Sequence, residues 1–195
     1  MINALYEPFP ESITVDGKEY QILTDFREWL RFSDMMSDRS VPAEHKLRLM
    51  TEWLEEVPPV INAELIYAVL DFYKASDLEP DSTDYEDDDP PEETERPPLL
   101  DWKFDAKFII GDFRRCYGID LLTTEYMHWW EFRCLLAALP EDSAVQRRIA
   151  YRSVDISQIK SPSEQMRILK IQRQIAIPFE YDDDMIAAAL ERTML

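Results

Sequence analysis

Apolar and polar positions change their period along the chain, and each period predicts an element. Ile13, Val15, Tyr20 and Ile22 alternate with polar residues around Asp16-Gly17. That dipeptide suits the two positive-φ positions of a tight turn, so a β-hairpin is expected here. A lone hairpin is marginal in water and has to pack on helices. The period becomes helical at about Asp25. Asp25 with Glu28 fits an acidic variant of the capping box, Phe26, Trp29, Leu30 and Ser33 share one face, and Arg27, Glu28, Arg31 and Asp34 share the other. A second helix is predicted from near Pro42 to Glu56, with Leu47, Met50, Leu54 and Val57 as its stripe and Pro58-Pro59 as its stop. A third begins near Asn62, with Leu65, Ile66, Val69, Leu70 and Tyr73 at helical spacing.

The pattern then stops. Between Asp77 and Pro98 there are eleven Asp or Glu, one Arg and five Pro, with almost no apolar residue. Such a stretch cannot bury enough surface to offset chain entropy, so a disordered acidic insertion is expected. Two readings of it stand: a solvated spacer, or an acidic decoy for a basic partner.

Helical spacing resumes at Leu99. Trp102, Ala106, Ile109, Ile110, Phe113 and Tyr117 share a face, and Gly118 is placed to end that helix in the left-handed conformation. Thr123 is the predicted cap of the next helix, which runs to Leu139 before Pro140. Another is expected over 143–152. Ser161-Pro162-Ser163-Glu164 combines a Ser cap, Pro in the first turn and Glu at the third position, and its helix continues through Ile168, Ile171 and Ile175 to Ile177-Pro178. A short amphipathic helix is expected from Asp182-Asp183-Asp184, with Ile186, Ala189 and Leu190 on one side. The fold class is therefore mainly α: an N-terminal hairpin packed on a multi-helix bundle, with residues 1–76 and 99–195 on either side of the acidic insertion at 77–98. Each block alone is small and aromatic-rich, so one shared core is expected.

The helix expected over 123–139 is the most distinctive. Tyr126, Trp129, Trp130, Arg133, Cys134 and Ala137 follow one face, and Phe132, Leu135, Leu136 and Leu139 another. A helix apolar nearly all round is either a core helix or part of an interface. Tyr126, Trp129, Trp130 and Arg133 are the residue types that dominate binding hot spots, and with Ile186 and Leu190 they are the candidate partner contacts.

Composition narrows the function. The chain has 195 residues, 46% of them hydrophobic, enough for a real core. Its net charge of −19 argues against nucleic acid or an anionic membrane as partner. With Gly17, Gly111 and Gly118 its only glycines, no phosphate loop or dinucleotide turn can be built. The two Cys and two His do not form a zinc motif, and Cys116 and Cys134 are expected as buried thiols in a reducing cytoplasm. Glu125 and His128 make one Glu-x-x-His step, but His45, the other histidine, has Pro42 three residues before it, so the second half of a di-metal site is missing. No Gly-x-Ser-x-Gly elbow occurs, and Asp87-Asp88-Asp89 lacks the glycine of a calcium loop. A non-enzyme without metal or cofactor is expected, and no segment has the length of a membrane span.

Several strings together resemble a bacteriophage "gene product fifteen" tail-region family. They are Asp16-Gly17-Lys18-Glu19-Tyr20, then Thr24-Asp25-Phe26-Arg27 with Trp29, then Tyr117-Gly118-Ile119-Asp120-Leu121. The most specific is Glu125-Tyr126-Met127-His128-Trp129-Trp130-Glu131-Phe132-Arg133, followed by Leu139-Pro140-Glu141-Asp142 and Tyr151-Arg152-Ser153 with Ile156. The resemblance covers about residues 12 to 178. It implies a gene beside the tape-measure gene of a long-tailed phage or prophage. It thus implies a tail assembly chaperone that binds the tape-measure protein in the host bacterial cytoplasm, with self-association as a further expectation and no catalytic residues. Two other functions are compatible with the chain: a structural tail component of the virion, and an acidic DNA mimic that inhibits a host protein. The second is weakened because the densest acids lie in a Pro-rich stretch rather than on a rigid surface.

Overall fold

A computed structural model describes residues 3–78 and 98–178. The acidic stretch at 79–97 and the helix expected from Asp182, with Ile186 and Leu190, lie outside the described residues. The described part is mainly α, with seven α-helices and one two-stranded antiparallel hairpin. It forms two compact units. The first takes the described residues up to 78 together with Ile119–Ala138, and the second takes 98–118 with 139–178. Residues 119–138, written above with the second block, therefore belong by their contacts to the first unit.

In the first unit, β1 (Ser12–Val15) pairs with β2 (Lys18–Gln21) so that Val15 faces Lys18 across Asp16-Gly17. Both turn residues have positive φ, 51° and 75°, which Gly adopts without strain and Asp tolerates. Ile13, Val15 and Tyr20 point inward. Helix α1 (Phe26–Ser37) starts at Asp25, whose carboxylate accepts the Arg27 amide at 2.9 Å. Glu28 does not close a capping box; it pairs with Arg31. The buried stripe is Phe26, Trp29 and Phe32, with Leu30 only half-buried.

Helix α2 (Ala43–Leu49) is shorter than its stripe suggests and buries none of its residues. Met50–Trp53 tighten into a 3-10 turn. Leu54 is then extended and bridges Ile22, while the Glu55 amide donates to Gln21 O at 3.0 Å. Pairing with the hairpin has replaced the last turn of the expected helix, which leaves Val57 exposed rather than on a core stripe. Helix α3 (Ala63–Lys74) begins where Asn62 accepts the Leu65 amide at 2.9 Å, and Ala75 ends it in the left-handed conformation.

The second unit holds α4 (Ala106–Tyr117), α6 (Ala144–Ser153) and α7 (Pro162–Ile175). Gly118, with φ 70°, ends α4 as its position predicts. The first turn of α6 has two side-chain caps: Ser143 Oγ accepts the Gln146 amide at 3.1 Å, and the buried Asp112 of α4 accepts the Val145 amide at 2.8 Å. Helix α7 starts at Pro162 as expected, but Ser161 makes no side-chain cap and Glu164 pairs with Arg167 instead. Between α4 and α6 in sequence, α5 (Trp129–Ala137) belongs to the first unit.

Candidate functional site

The distinctive string around Trp129 does not form the helix face that its spacing suggests. Helix α5 begins at Trp129, five residues later than a cap at Thr123 would place it. The reason lies far away in sequence. The Phe26 amide donates to Met127 O at 3.0 Å, and the Trp129 amide donates to Thr24 O at 2.7 Å, so Met127 and His128 are extended against the entry to α1. A backbone committed to that bridge cannot also be helical. Tyr126 is therefore in a loop, 54% exposed, with its hydroxyl 2.8 Å from Thr24 Oγ1.

His128 takes the capping role instead. Its Nδ1 accepts the Trp130 amide at 3.0 Å, so the ring proton sits on Nε2, which faces Pro10 O at 3.1 Å. Phe9 stacks on the ring at 5.0 Å. Burial is the main influence on this imidazole and pushes its pKa below 6.5, against the opposing pull of the Pro10 carbonyl and of Glu11 and Glu131.

Trp129 and Trp130 are both buried, at 0% and 2% exposure. Their indole N–H groups donate to Tyr73 O and Phe72 O, each at 2.8 Å, and Arg133 Nη1 is a second donor to Tyr73 O at 3.0 Å. These carbonyls belong to the last turn of α3, where carbonyls run short of helical amides, although Phe72 O also accepts the Ala75 amide at 3.1 Å. Trp29 donates likewise to Leu23 O at 2.7 Å and Trp53 to Glu28 O at 2.9 Å. The rings form one stack: Tyr73 lies on Trp129 at 5.6 Å, Phe132 on Phe26 at 4.8 Å, and Trp29 against Phe72 at 4.9 Å. So Trp129, Trp130 and Arg133 tie α5 to the end of α3. Of the four candidate contacts in this string, Tyr126 alone is largely in solvent.

Arg27 completes the tie. Its Nη1 donates to both carboxylate oxygens of Asp25, at 3.0 and 3.2 Å, and its Nη2 donates to the carbonyls of Leu121 and Thr124. That guanidinium fixes the loop before His128 to the first turn of α1.

Sequence reasoning missed the apolar surface of this unit. Val57, Val60 and Ile61 are 55%, 62% and 41% exposed, with Pro59 exposed among them. Pro58 between them is buried, but three consecutive exposed apolar residues with Val57 close by are unfavourable in water unless something covers them. The signal was present as Val-Pro-Pro-Val-Ile, which the helix stripe and the proline stop divided between two elements. Leu122, at 70%, and Leu23, at 36%, are further exposed apolar residues of this unit.

The second unit holds a buried ionic cluster that sequence reasoning also missed. Asp105, 1% exposed, accepts from Arg148 Nε at 2.9 Å and from Arg152 Nη1 and Nη2 at 2.6 and 2.9 Å. Burial alone would raise its pKa, but the two guanidiniums and the Asp101 amide outweigh that and hold the carboxyl below the usual carboxylate range. Arg152 also donates to the carbonyls of Ile175 and Leu99, at 2.9 and 2.8 Å, so the cluster is a structural anchor. The thiols differ from expectation: Cys134 is exposed and Cys116 half-buried. Among the described residues no group of three or more His, Cys, Asp or Glu is placed to hold a metal ion, and no helix is long and apolar enough to cross a membrane.

A family model described as Bacteriophage Gp15 protein matches residues 5–177. No curated protein and no solved structure matches the chain.

Proposed function

Since the chain belongs to the Bacteriophage Gp15 protein family, we propose that it is a non-catalytic tail assembly chaperone that binds the tape-measure protein in the host bacterial cytoplasm. The observation that carries this reading is the Val57–Ile61 run, exposed at every residue but Pro58, in the unit with the closed aromatic core. A chain that satisfies its buried polar groups and stacks its aromatics so fully has no folding reason to leave that run in water. A helical client with apolar stripes, held before assembly, would cover it. The net charge of −19 would keep such a complex soluble. Release without an energy source needs modest affinity per contact, which many copies along one long client would compensate.

Co-expression with the tape-measure protein of the same phage, followed by affinity capture and sizing, tests this. Soluble complexes with several copies per client are expected, and V60S/I61S should reduce capture about tenfold or more while leaving the thermal midpoint within about 2 °C, since both side chains are exposed. No association, with the client equally soluble alone, overturns the reading. Recovery of the chain in purified tails would make it a virion component instead.

A further inference from the structure

Helix α4 carries a glycine that its own fold does not require. Gly111 lies in the interior of α4, where Gly is a poorer helix former than any residue but Pro. Its φ is not positive, it is exposed, and a Cβ built on it would meet no atom within 4 Å. Nothing inside the chain needs the missing side chain, but a body that approaches α4 closely from outside would. Around this notch the helix surface is basic. Lys107, four residues before, and Arg114, three after, are exposed on the same face, while Asp105 and Asp112 are buried.

Helix α3 presents the converse. Tyr67 stands out from it at 66% exposure, with Glu64 three residues before and Asp71 four after, both exposed on that face. Glu64 also accepts the Asp16 amide through one of its two oxygens, at 2.9 Å. A protruding ring between two carboxylates complements, in shape and in charge, an open glycine between two cations. The spacings agree as well. They run three then four along α3 and four then three along α4. Antiparallel axes would therefore seat Tyr67 over Gly111, with Glu64 beside Arg114 about 4.5 Å along the axis and Asp71 beside Lys107 about 6 Å the other way.

The geometry points to a head-to-tail contact between copies of this chain, in which α3 of one copy packs antiparallel on α4 of the next. The charge of the two units favours it: the described residues of the first hold eight Lys and Arg against eighteen Asp and Glu, and those of the second eleven against seven. Repulsion between copies of net charge −19 is screened beyond about 8 Å at physiological salt, which leaves the local pairs to decide. Because the two faces differ, every copy in a pair keeps one face unused, and the contact can repeat into open strings. One helix on one helix is a small contact, so each pairing is weak. This inference does not depend on the tape-measure reading, since the contact needs no client.

Sedimentation velocity on the full chain, from about 5 to about 500 µM in about 0.15 M salt, tests it. The weight-average mass should rise with concentration and pass that of a dimer. G111Q fills the notch and Y67S removes the knob, and each should weaken association at least about tenfold. Both positions are exposed, so each thermal midpoint should fall by no more than about 3 °C. An equimolar mixture of the two variants keeps one intact α3 and one intact α4, and should form dimers that grow no further. D71K and K107D should each weaken association, and D71K/K107D should restore it. A mass that stays at the monomer value across the range overturns the proposal. So does association that survives in both G111Q and Y67S, or a mixture that behaves as its two components do apart.

Discussion

The two units close their cores by different means. In the first, stacked rings are tied down chiefly by four neutral indole N–H groups that end on backbone carbonyls, with the Arg133 guanidinium as a charged fifth donor. In the second, the ties are charged: Asp105 holds Arg148 and Arg152, and Asp112 caps the neighbouring helix. An indole that donates to a carbonyl is indifferent to salt and pH, whereas a buried carboxylate depends on its ionisation. The first unit should therefore fail through lost packing and the second through lost charge.

The largest effect should come from the ring stack. Trp129→Ala removes a fully buried indole and leaves Tyr73 O with one donor fewer, and should cost about 5 kcal/mol in urea unfolding followed by tryptophan fluorescence. A cost under about 1 kcal/mol would mean that the stack tolerates a hole and that Trp129 is a surface residue after all. Asp105→Asn should follow at about 3 kcal/mol, because Arg148 and Arg152 would keep their charge without its partner. Amide exchange should show its loss of protection in α4 and α6. The Asp105 carboxyl titrates below its ordinary 3.8 when folded, so its contribution is complete above that value and is lost as pH falls through the lower folded value.

His128 is where pH should reach the first unit. Its folded pKa lies below the ordinary 6.5, so the unfolded chain takes up the proton first. Stability is then full above about pH 6.5 and declines as pH falls from there toward the folded value, where Nδ1 can no longer accept the Trp130 amide. His128→Asn keeps an acceptor at the cap and should remove that part of the pH dependence at a cost of about 1 kcal/mol at pH 8. An unchanged profile from pH 5 to 7 would show that the ring does not titrate with folding.

What was legible in the sequence was local. Asp16-Gly17, Gly118, Asn62 and Ser143 specify turns and caps within a few residues of themselves, and the structure places each as its chemistry requires. What was not legible depends on partners far along the chain. The delayed start of α5 comes from Thr24 and Phe26, about a hundred residues earlier, and the Asp105 cluster joins residues 43 and 47 apart. Periodicity counts apolar positions but does not say which are covered. It therefore put Val57 on a stripe that the bridge between Ile22 and Leu54 takes away, and left out Phe32, which is fully buried. The family string was conspicuous for its aromatics, and those aromatics serve mainly to fasten α5 to α3.

The smallest effect separates a motif from the bond it stands for. Ser143 and Ser161 both occupy the position before a helix, and Ser161 has the richer signature, with Pro and Glu following. Yet Ser143 Oγ accepts an amide at 3.1 Å, and Ser161 Oγ reaches only Ser163 Oγ at 3.0 Å. Ser143 is also fully buried, so truncating it removes an acceptor from inside the packed unit. Ser143→Ala should therefore cost about 1–2 kcal/mol, and Ser161→Ala only a few tenths, about 0.3 kcal/mol, read as paired thermal midpoints. Equal costs would mean that Ser161 reaches a backbone amide in solution and that its sequence signature describes α7 better than the hydrogen bonds seen here.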